Sequence, residues 1–414
     1  MKQIQLYQNT LQTLLSEILQ NNKEKKIIVL GVRRISAVIF CALKSLHGDV
    51  AYFLDNESEQ EVEGNRVFFD RPVFSVHHLL YEDLNRIAVI NSLHYIEKTE
   101  ELVSVFGLKP EYNLFNLNGY QKVLRWNCLD PLLGYSREDT ISGFYLHGED
   151  KENVLRIVTL GGATTDFSYS HIKSWPQFLH EMLLLKGIEN AVYNGGMNGY
   201  TSCEEREKMR RDVLALKPDI VLSLSGECDI DWVMVSSDNP FYSNYYQKKI
   251  GGILKQFSKS HQKVWFDRHM SHIETYHTIT DYENWIRNQR IINALAKNQG
   301  ISFYCFLQPF IFEGNYQMSD FESKWMEIFL SEGVKYLPSI KRIFDGYGAF
   351  YQGVKNNIRD KDYIVDLTDV FDGSSGVYSD GVHYDEIGNC LIAERICEIL
   401  IKRENLIKNE SGNL

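Results

Sequence analysis

The run KKIIVLGV (Lys25 to Val32) is an unbroken apolar stretch behind a charged flank, closed by a glycine. A strand that is apolar on both faces must be covered on both faces, which is the mark of a buried parallel sheet. A helical stretch from about Ile35 to Leu46 follows, then the strand DVAYFLDN, the strand RIAVINS (Arg86 to Ser92), and a helix in IEKTEELVSVFG closed by Gly107. Alternating strands and helices predict a doubly wound, Rossmann-like α/β unit. The pattern resumes at VLRIVTLGG (Val154 to Gly162), so the expected fold class is α/β twice over.

Length supports that division. A chain of 414 residues exceeds what one ordinary core holds. The expected organisation is a first domain over 1–128, a turn-rich connector over 129–153, a second domain over 154–403 and a fraying tail over 404–414. The net charge of -11 argues against a nucleic-acid surface, since phosphate binding needs a basic face. No stretch approaches the ~20 apolar residues of a membrane span. The start does not read as a signal peptide. Its leucines and isoleucines (Leu11, Leu14, Leu15, Ile18, Leu19) follow helical spacing and predict an amphipathic helix packed on its own domain. Seven cysteines without a CxxC pair fit free thiols in a reducing cytoplasm and give no zinc-ribbon pattern.

In the first domain the strand, Asp55-Asn56 and NRVFFDRPVFSVHHL resemble the small Rossmann-like domains attached to bacterial sugar-modifying enzymes. The turn after the first strand, GVRRIS, has Gly31 but lacks the second and third glycines of a dinucleotide fingerprint, and Arg33 would crowd a pyrophosphate. Gly31, Arg33, Arg34 and Asp55 would line a sugar-nucleotide site. A structural or docking role is preferred, with self-association or docking through this domain as its use. His77 and His78 are expected to be an ordinary capped pair.

Four blocks in the second half stand in order. They are LGGATTD (Leu160 to Asp166), NGGMNGYTS (Asn194 to Ser202), KPDIVLSLSGECDI (Lys217 to Ile230) and SDGVHYDEIGNCLIAERICEIL (Ser379 to Leu400). Together they resemble the SGNH (GDSL-type) hydrolase superfamily over about Leu155 to Leu400, with FYCFLQPFIF (Phe303 to Phe312) similar to the strand before the last block. The resemblance implies a flavodoxin-like α/β/α domain that acts on acyl groups, acetyl first, of a sugar or glycan by hydrolysis or transfer, with no cofactor and no metal. It assigns His383 as general base, Asp380 as its orienting carboxylate, and the backbone N–H groups of residue 163 and Gly199 as oxyanion donors. Position 228 would hold the third donor, and position 163 the nucleophile.

Two positions depart from the pattern. Ala163 stands where a serine is expected and keeps only the backbone N–H. Cys228 stands where an asparagine is expected and offers a weak S–H. Ala163 is either a replaced nucleophile or the native residue of a pocket that binds without cleaving. The second alternative makes the chain an inactive binding or docking protein of glycan modification. Thr164 and Thr165 are expected to hydrogen-bond the start of the next helix rather than to act as nucleophiles. Asp267, His269, His272 and His277 have metal-ligand chemistry but no helical i, i+4 spacing. Their segment, Asp231 to Glu283, is therefore read as a substrate-facing insertion rich in Tyr, Asn and Ser.

Overall fold

The computed structural model describes residues 11–32, 34–55, 66–91, 102–116, 128–130, 133–136, 143–166, 173–230, 281–333, 338–379 and 381–406. Two six-stranded sheets organise the chain. The first holds β1 (Lys26–Leu30), β2 (Tyr52–Asp55), β3 (Val67–Phe68), β4 (Arg71–Ser75), β5 (Ile87–Asn91) and β6 (Leu114–Asn116), in the order β3-β4-β2-β1-β5-β6. All pairs are parallel except the β3–β4 edge. The strand order reverses between β1 and β5, as in a doubly wound sheet.

Both faces of this sheet are covered. Ile27, Val29, Phe53, Ala88 and Ile90 pack with α1 (Leu11–Asn21) and α2 (Arg34–Ser45). Ile28, Leu30, Leu54 and Val89 pack with Val76, Leu79, Leu102 and Phe106 on the other side. Leu15 and Ile18 of α1 are buried there, so the amphipathic first helix packs on its own unit.

The second sheet holds β9 (Tyr145–His147), β10 (Leu155–Gly161), β11 (Asn190–Asn194), β12 (Ile220–Ser225), β13 (Ser302–Leu307) and β14 (Ile364–Asp366), in the order β14-β13-β12-β10-β11-β9. Only β9 runs antiparallel, and it comes from the segment expected to be a connector, where the short hairpin β7 (Cys128–Asp130) and β8 (Gly134–Ser136) also lies. The five parallel strands have the flavodoxin-like order, in which direction switches between β10 and β12.

Strand alternation builds three layers. Ile157, Ile220, Leu222 and Leu224 face α3 (Trp175–Leu185) and α8 (Glu386–Arg403). Val158, Leu160 and Val221 face the opposite layer, which contains Met209, Val213, Trp285 and Ile292. That layer comprises α4 (Ser202–Lys208), α5 (Asp281–Asn298) and α7 (Pro338–Asn357). The remaining helix, α6 (Asp320–Ile328), packs against α2 of the first unit, and Lys44 pairs with Glu332 at 2.6 Å beside that contact.

Candidate functional site

The second sheet places its chain reversals at the carboxyl ends of β10 and β12, the crevice where open α/β sheets take their ligands. Ala163 follows β10 and Cys228 follows β12. Gly161 has φ +149°, and a Cβ there would lie 2.5 Å from the Leu224 carbonyl oxygen. Gly162 is pressed between the neighbouring blocks: a Cβ would come within 2.5 Å of Cys228 Sγ and 3.1 Å of the Tyr200 carbonyl. The sequence GG before Ala163 is thus a packing requirement of three loops. The turn closes on itself, with the N–H groups of Thr165 and Asp166 both donating to the Gly162 carbonyl at 3.1 Å.

The second block is tied to the first at several points. Gly195 N donates to Thr159 O at 2.8 Å, and Met197 N donates to Gly161 O at 3.0 Å. Asn194 Nδ2 donates to Thr165 O at 2.8 Å, while its Oδ1 accepts from Gly196 N at 2.9 Å. Asn198 N donates to Asp166 Oδ2 at 2.8 Å. Gly199 then takes φ +80°, a left-handed position that suits glycine. Thr201 caps α4 in a reciprocal box with Glu204, so the loop that carries Gly199 ends in a fixed helix start.

Asp229 locks the third block to this loop. It is buried and accepts from the Ser202 N–H at 3.1 Å and from Ser202 Oγ at 2.5 Å. Burial pushes its carboxyl well above the usual range, against the pull of the Ser202 hydrogen bonds. Cys228 is also buried, with Sγ 3.5 Å from Glu227 Oε2.

Among the hydrogen bonds of the described residues, none uses the backbone N–H of Ala163 or of Gly199 as donor. Ala163 itself is only 6% exposed.

His383 lies on a turn bound to the exit of β13. Ser379 N and Ser379 Oγ both donate to the His383 carbonyl, at 2.8 and 3.0 Å. Ile311 N donates to Gly381 O at 3.4 Å, and the Tyr384 hydroxyl donates to Pro309 O at 2.9 Å. Asp385 caps α8 through Gly388 N, and burial raises its carboxyl to about 6. Asp380 lies outside the described residues, as do Arg33 and the segment 231–280 with Asp267, His269, His272 and His277. No group of three His, Cys, Asp or Glu able to hold a metal occurs among the described residues.

The structure corrects the expectation for Thr164 and meets it, by a side-chain route, for Thr165. Thr164 Oγ1 donates to Gln308 Oε1 at 3.3 Å, and Thr165 Oγ1 accepts from Trp175 Nε1 at 3.2 Å. Thr165 thus meets the first residue of the next helix, α3, through its indole rather than its backbone, whereas Thr164 turns to the end of β13. The left-handed turn at Gly161 brings Thr165 back beneath β10, toward the Trp175 indole.

In the first unit Gly31 has φ +102° and donates to Leu54 O at 2.7 Å. Asp55 is bound to Arg66 at 2.8 Å. The helix α2 starts at Arg34. His77 lies in a turn capped by Ser75, and the His78 ring stacks on Phe74 at 4.1 Å.

Sequence reasoning missed three features. Gln308 meets the Thr164 side chain from β13. Asp229 clamps two loops. A buried polar network behind β12 joins Glu205, Ser223, Ser225, Trp285 and Gln289. The alternating serines of IVLSLS were the available signal for the last.

No family model matches the chain, and no curated protein matches it. The chain is similar over about 60% of its length to solved structures of G-D-S-L and acetylxylan esterase type. One, from Desulfitobacterium hafniense and assigned to the lipolytic G-D-S-L family, is 16% identical, with 59% of this chain and 99% of that chain covered and a TM-score of 0.33. An acetyl xylan esterase is 17% identical over 59% of this chain and 100% of its own, with a TM-score of 0.31. A lipase/acylhydrolase from Enterococcus faecalis is 15% identical over 60% and 96%, with a TM-score of 0.30. Likeness at this level leaves the roles of individual residues to this chain's own geometry.

Proposed function

We propose that the second unit is an SGNH-type site for acyl esters, acetyl first, of a sugar or glycan, with the nucleophile position occupied by Ala163. The observation that carries this is the pair of unused backbone N–H donors at Ala163 and Gly199, on two loops that meet at Gly162. Ester chemistry needs donors at the carbonyl oxygen, because charge develops there.

With alanine at 163 no acyl-enzyme forms there. The chain as it stands holds the ester carbonyl without cleaving it by a serine route. A serine at 163 would add the nucleophile. His383 would take its proton as the Oγ–carbonyl bond forms and return it to the leaving alcohol as the ester bond breaks. Water would then hydrolyse the acyl-enzyme, or a second hydroxyl would accept the acyl group. Asp380 would orient the imidazole.

The sugar part of the proposal is supported by the resemblance of the first unit and by the Tyr- and Asn-rich insertion. Cys41, Cys203, Cys228, Cys305, Cys390 and Cys397 are free thiols, which supports a reducing compartment such as the cytoplasm. No described helix is long and apolar enough to cross a membrane.

The test is Ala163→Ser. The variant should hydrolyse an activated acetyl ester and react with a fluorophosphonate faster than the parent, and His383→Ala should remove most of the gain. If the serine variant does neither, and the parent binds no acetylated sugar in a mass-spectrometric screen, the proposal is wrong.

A further inference from the structure

We propose that Glu322 is a positioning residue of this site: from α6, its carboxylate holds the loop whose turn carries His383. The inference rests on the acyl-ester reading above and names what keeps the general base of that site in place.

Glu322 is 1% exposed, yet donors converge on both of its oxygens. Oε2 accepts from Ser319 N at 2.8 Å, from Ser319 Oγ at 3.0 Å and from Gly376 N at 2.9 Å. Oε1 accepts from the Tyr316 hydroxyl at 2.6 Å and from Tyr378 N at 3.1 Å. The Tyr316 oxygen in turn accepts from Val377 N at 3.1 Å. The successive N–H groups of Gly376, Val377 and Tyr378 are thus held by one carboxylate and the phenol bound to it. The bonds to Ser319 close a capping box at the start of α6. Those to Gly376 and Tyr378 serve no helix: they cross 54 and 56 residues of chain.

The loop so held is one arm of the turn that carries His383. Tyr378 and Tyr384 form an antiparallel bridge, Asp385 N donates to Val377 O at 2.8 Å, and Ser379 N donates to His383 O at 2.8 Å. A displacement of 377–379 therefore carries 383–385 with it. Packing from the same helix supports the turn. Gly381 has φ +85°, and a Cβ there would come 3.2 Å from Met326 Cε and 3.9 Å from Trp325 Cη2. From behind, α6 rests on α2, and the apolar core that buries Phe40 and Leu43 continues into Trp325, Met326 and Phe329.

The residue type matters. A carboxylate accepts at both oxygens and donates nothing. A backbone N–H points at each oxygen of Glu322, so an amide in its place would set an NH2 group against an N–H whichever way it turned. A general base works only within hydrogen-bond reach of the proton it takes, and a misplacement of about 1 Å costs up to about a hundredfold.

The experiment uses the full chain in two backgrounds. In the Ala163→Ser background, Glu322→Gln should lower kcat for p-nitrophenyl acetate by about ten- to a hundredfold, with KM changed less than about twofold. Tyr316→Phe keeps the ring against Phe371 and Tyr378 and removes only the hydroxyl, so kcat should fall by about three- to tenfold. The decisive comparison adds His383→Ala to each. A residue that acts by placing His383 has nothing left to place, so both losses should vanish. A loosened fold would lower the residual rate further. In the parent background, the His383 ring resonance, identified by its loss in His383→Ala, should shift in Tyr316→Phe, while those of His147 and His180 stay.

If the serine variant is active and both substitutions leave kcat within about twofold, or lower it equally without His383, the assignment of Glu322 is overturned and the acyl-ester reading stands. If the serine variant is inactive, the ester reading falls and the ring resonance decides: an unmoved His383 signal overturns the assignment as well. If circular dichroism shows that Glu322→Gln does not fold, Tyr316→Phe carries the same test.

Discussion

Glu205 should make this fold less stable as pH rises from the acid side to neutrality. It is completely buried on α4, behind β12. Its Oε2 accepts from Ser223 Oγ at 2.5 Å and from Gln289 Nε2 at 3.4 Å. Its Oε1 and the Oε1 of Gln289 are both buried acceptors without a donor. One proton on Glu205 turns one of these acceptors into a donor and resolves the conflict. Burial is the largest cause raising its carboxyl from 4.5 to about 7, with Glu204 adding repulsion and the Ser223, Gln289 and Ser225 hydrogen bonds opposing. Asp229 and the Cys305 thiol titrate upward beside it, and no cation contributes. The folded pKa lies above the unfolded one, so the native state binds more protons between these values. Stability therefore falls as pH rises from 4.5 to about 7 and levels off above. A shift of this size is worth about 3 kcal/mol. Glu205→Gln keeps the shape and removes the titration. Hydrogen exchange at the β12 amides reads this core alone, which matters in a chain of two units. At pH 8 the variant's opening free energy should exceed the parent's by up to about 3 kcal/mol, and the gap should close toward pH 4.5. A gap that does not change with pH would refute the argument, because a purely steric effect of the amide has no proton linkage.

His147 should act with the opposite sign. It is buried near His180 on β9, and burial lowers its pKa from 6.5 to about 4, so the native state resists protonation and stability is lost as pH falls from 6.5 toward 4. Urea unfolding of His147→Phe should lack that acid-side loss. Thr201→Ala should cost about 1 kcal/mol in the same assay by removing the cap of α4, and should loosen the Gly199 loop. In the Ala163→Ser background, Cys228→Asn should raise esterase turnover by up to about a hundredfold if its amide reaches the oxyanion. Gly162→Ala in that background should abolish turnover, since the added methyl would lie 2.5 Å from Cys228 Sγ.

The sheets were legible because their strands are continuous apolar runs, and continuity on both faces has one common cause. Each glycine-bearing block follows such a strand, so the place of Ala163 and Cys228 at the carboxyl ends of β10 and β12 could be anticipated, whereas the strand order could not. Nor could strand β9. Its three residues, Tyr145 to His147, carry no run or alternation long enough to register, and their pairing with β11 is a tertiary event. The partners of Thr164 and Thr165 were equally hidden, because they come from Gln308 and Trp175, 144 and 10 residues away. Spacing within a motif says which residues share a turn. It does not say what a distant strand brings to that turn.

The two departures from the SGNH pattern are physically linked on this account. Without a serine no tetrahedral oxyanion forms at 163, so a third donor strong enough to stabilise full charge is no longer selected at 228. A small thiol then suits the space against Gly162, where the contact with Sγ is already close. A neutral carbonyl needs less, and the N–H groups of Ala163 and Gly199 would hold it. The pairing of the two departures is what the binding alternative of the proposal expects. It also sets the order in which function should return: Ala163→Ser first gives a slow esterase, and a donor at 228 matters only afterwards. Cys228→Asn alone, in the parent, should leave acetyl-ester hydrolysis undetectable and change ligand affinity by less than about tenfold, on the net worth of one hydrogen bond. Hydrolysis by that single variant would show that the reacting nucleophile is not at position 163 at all, and would move the chemistry to another group.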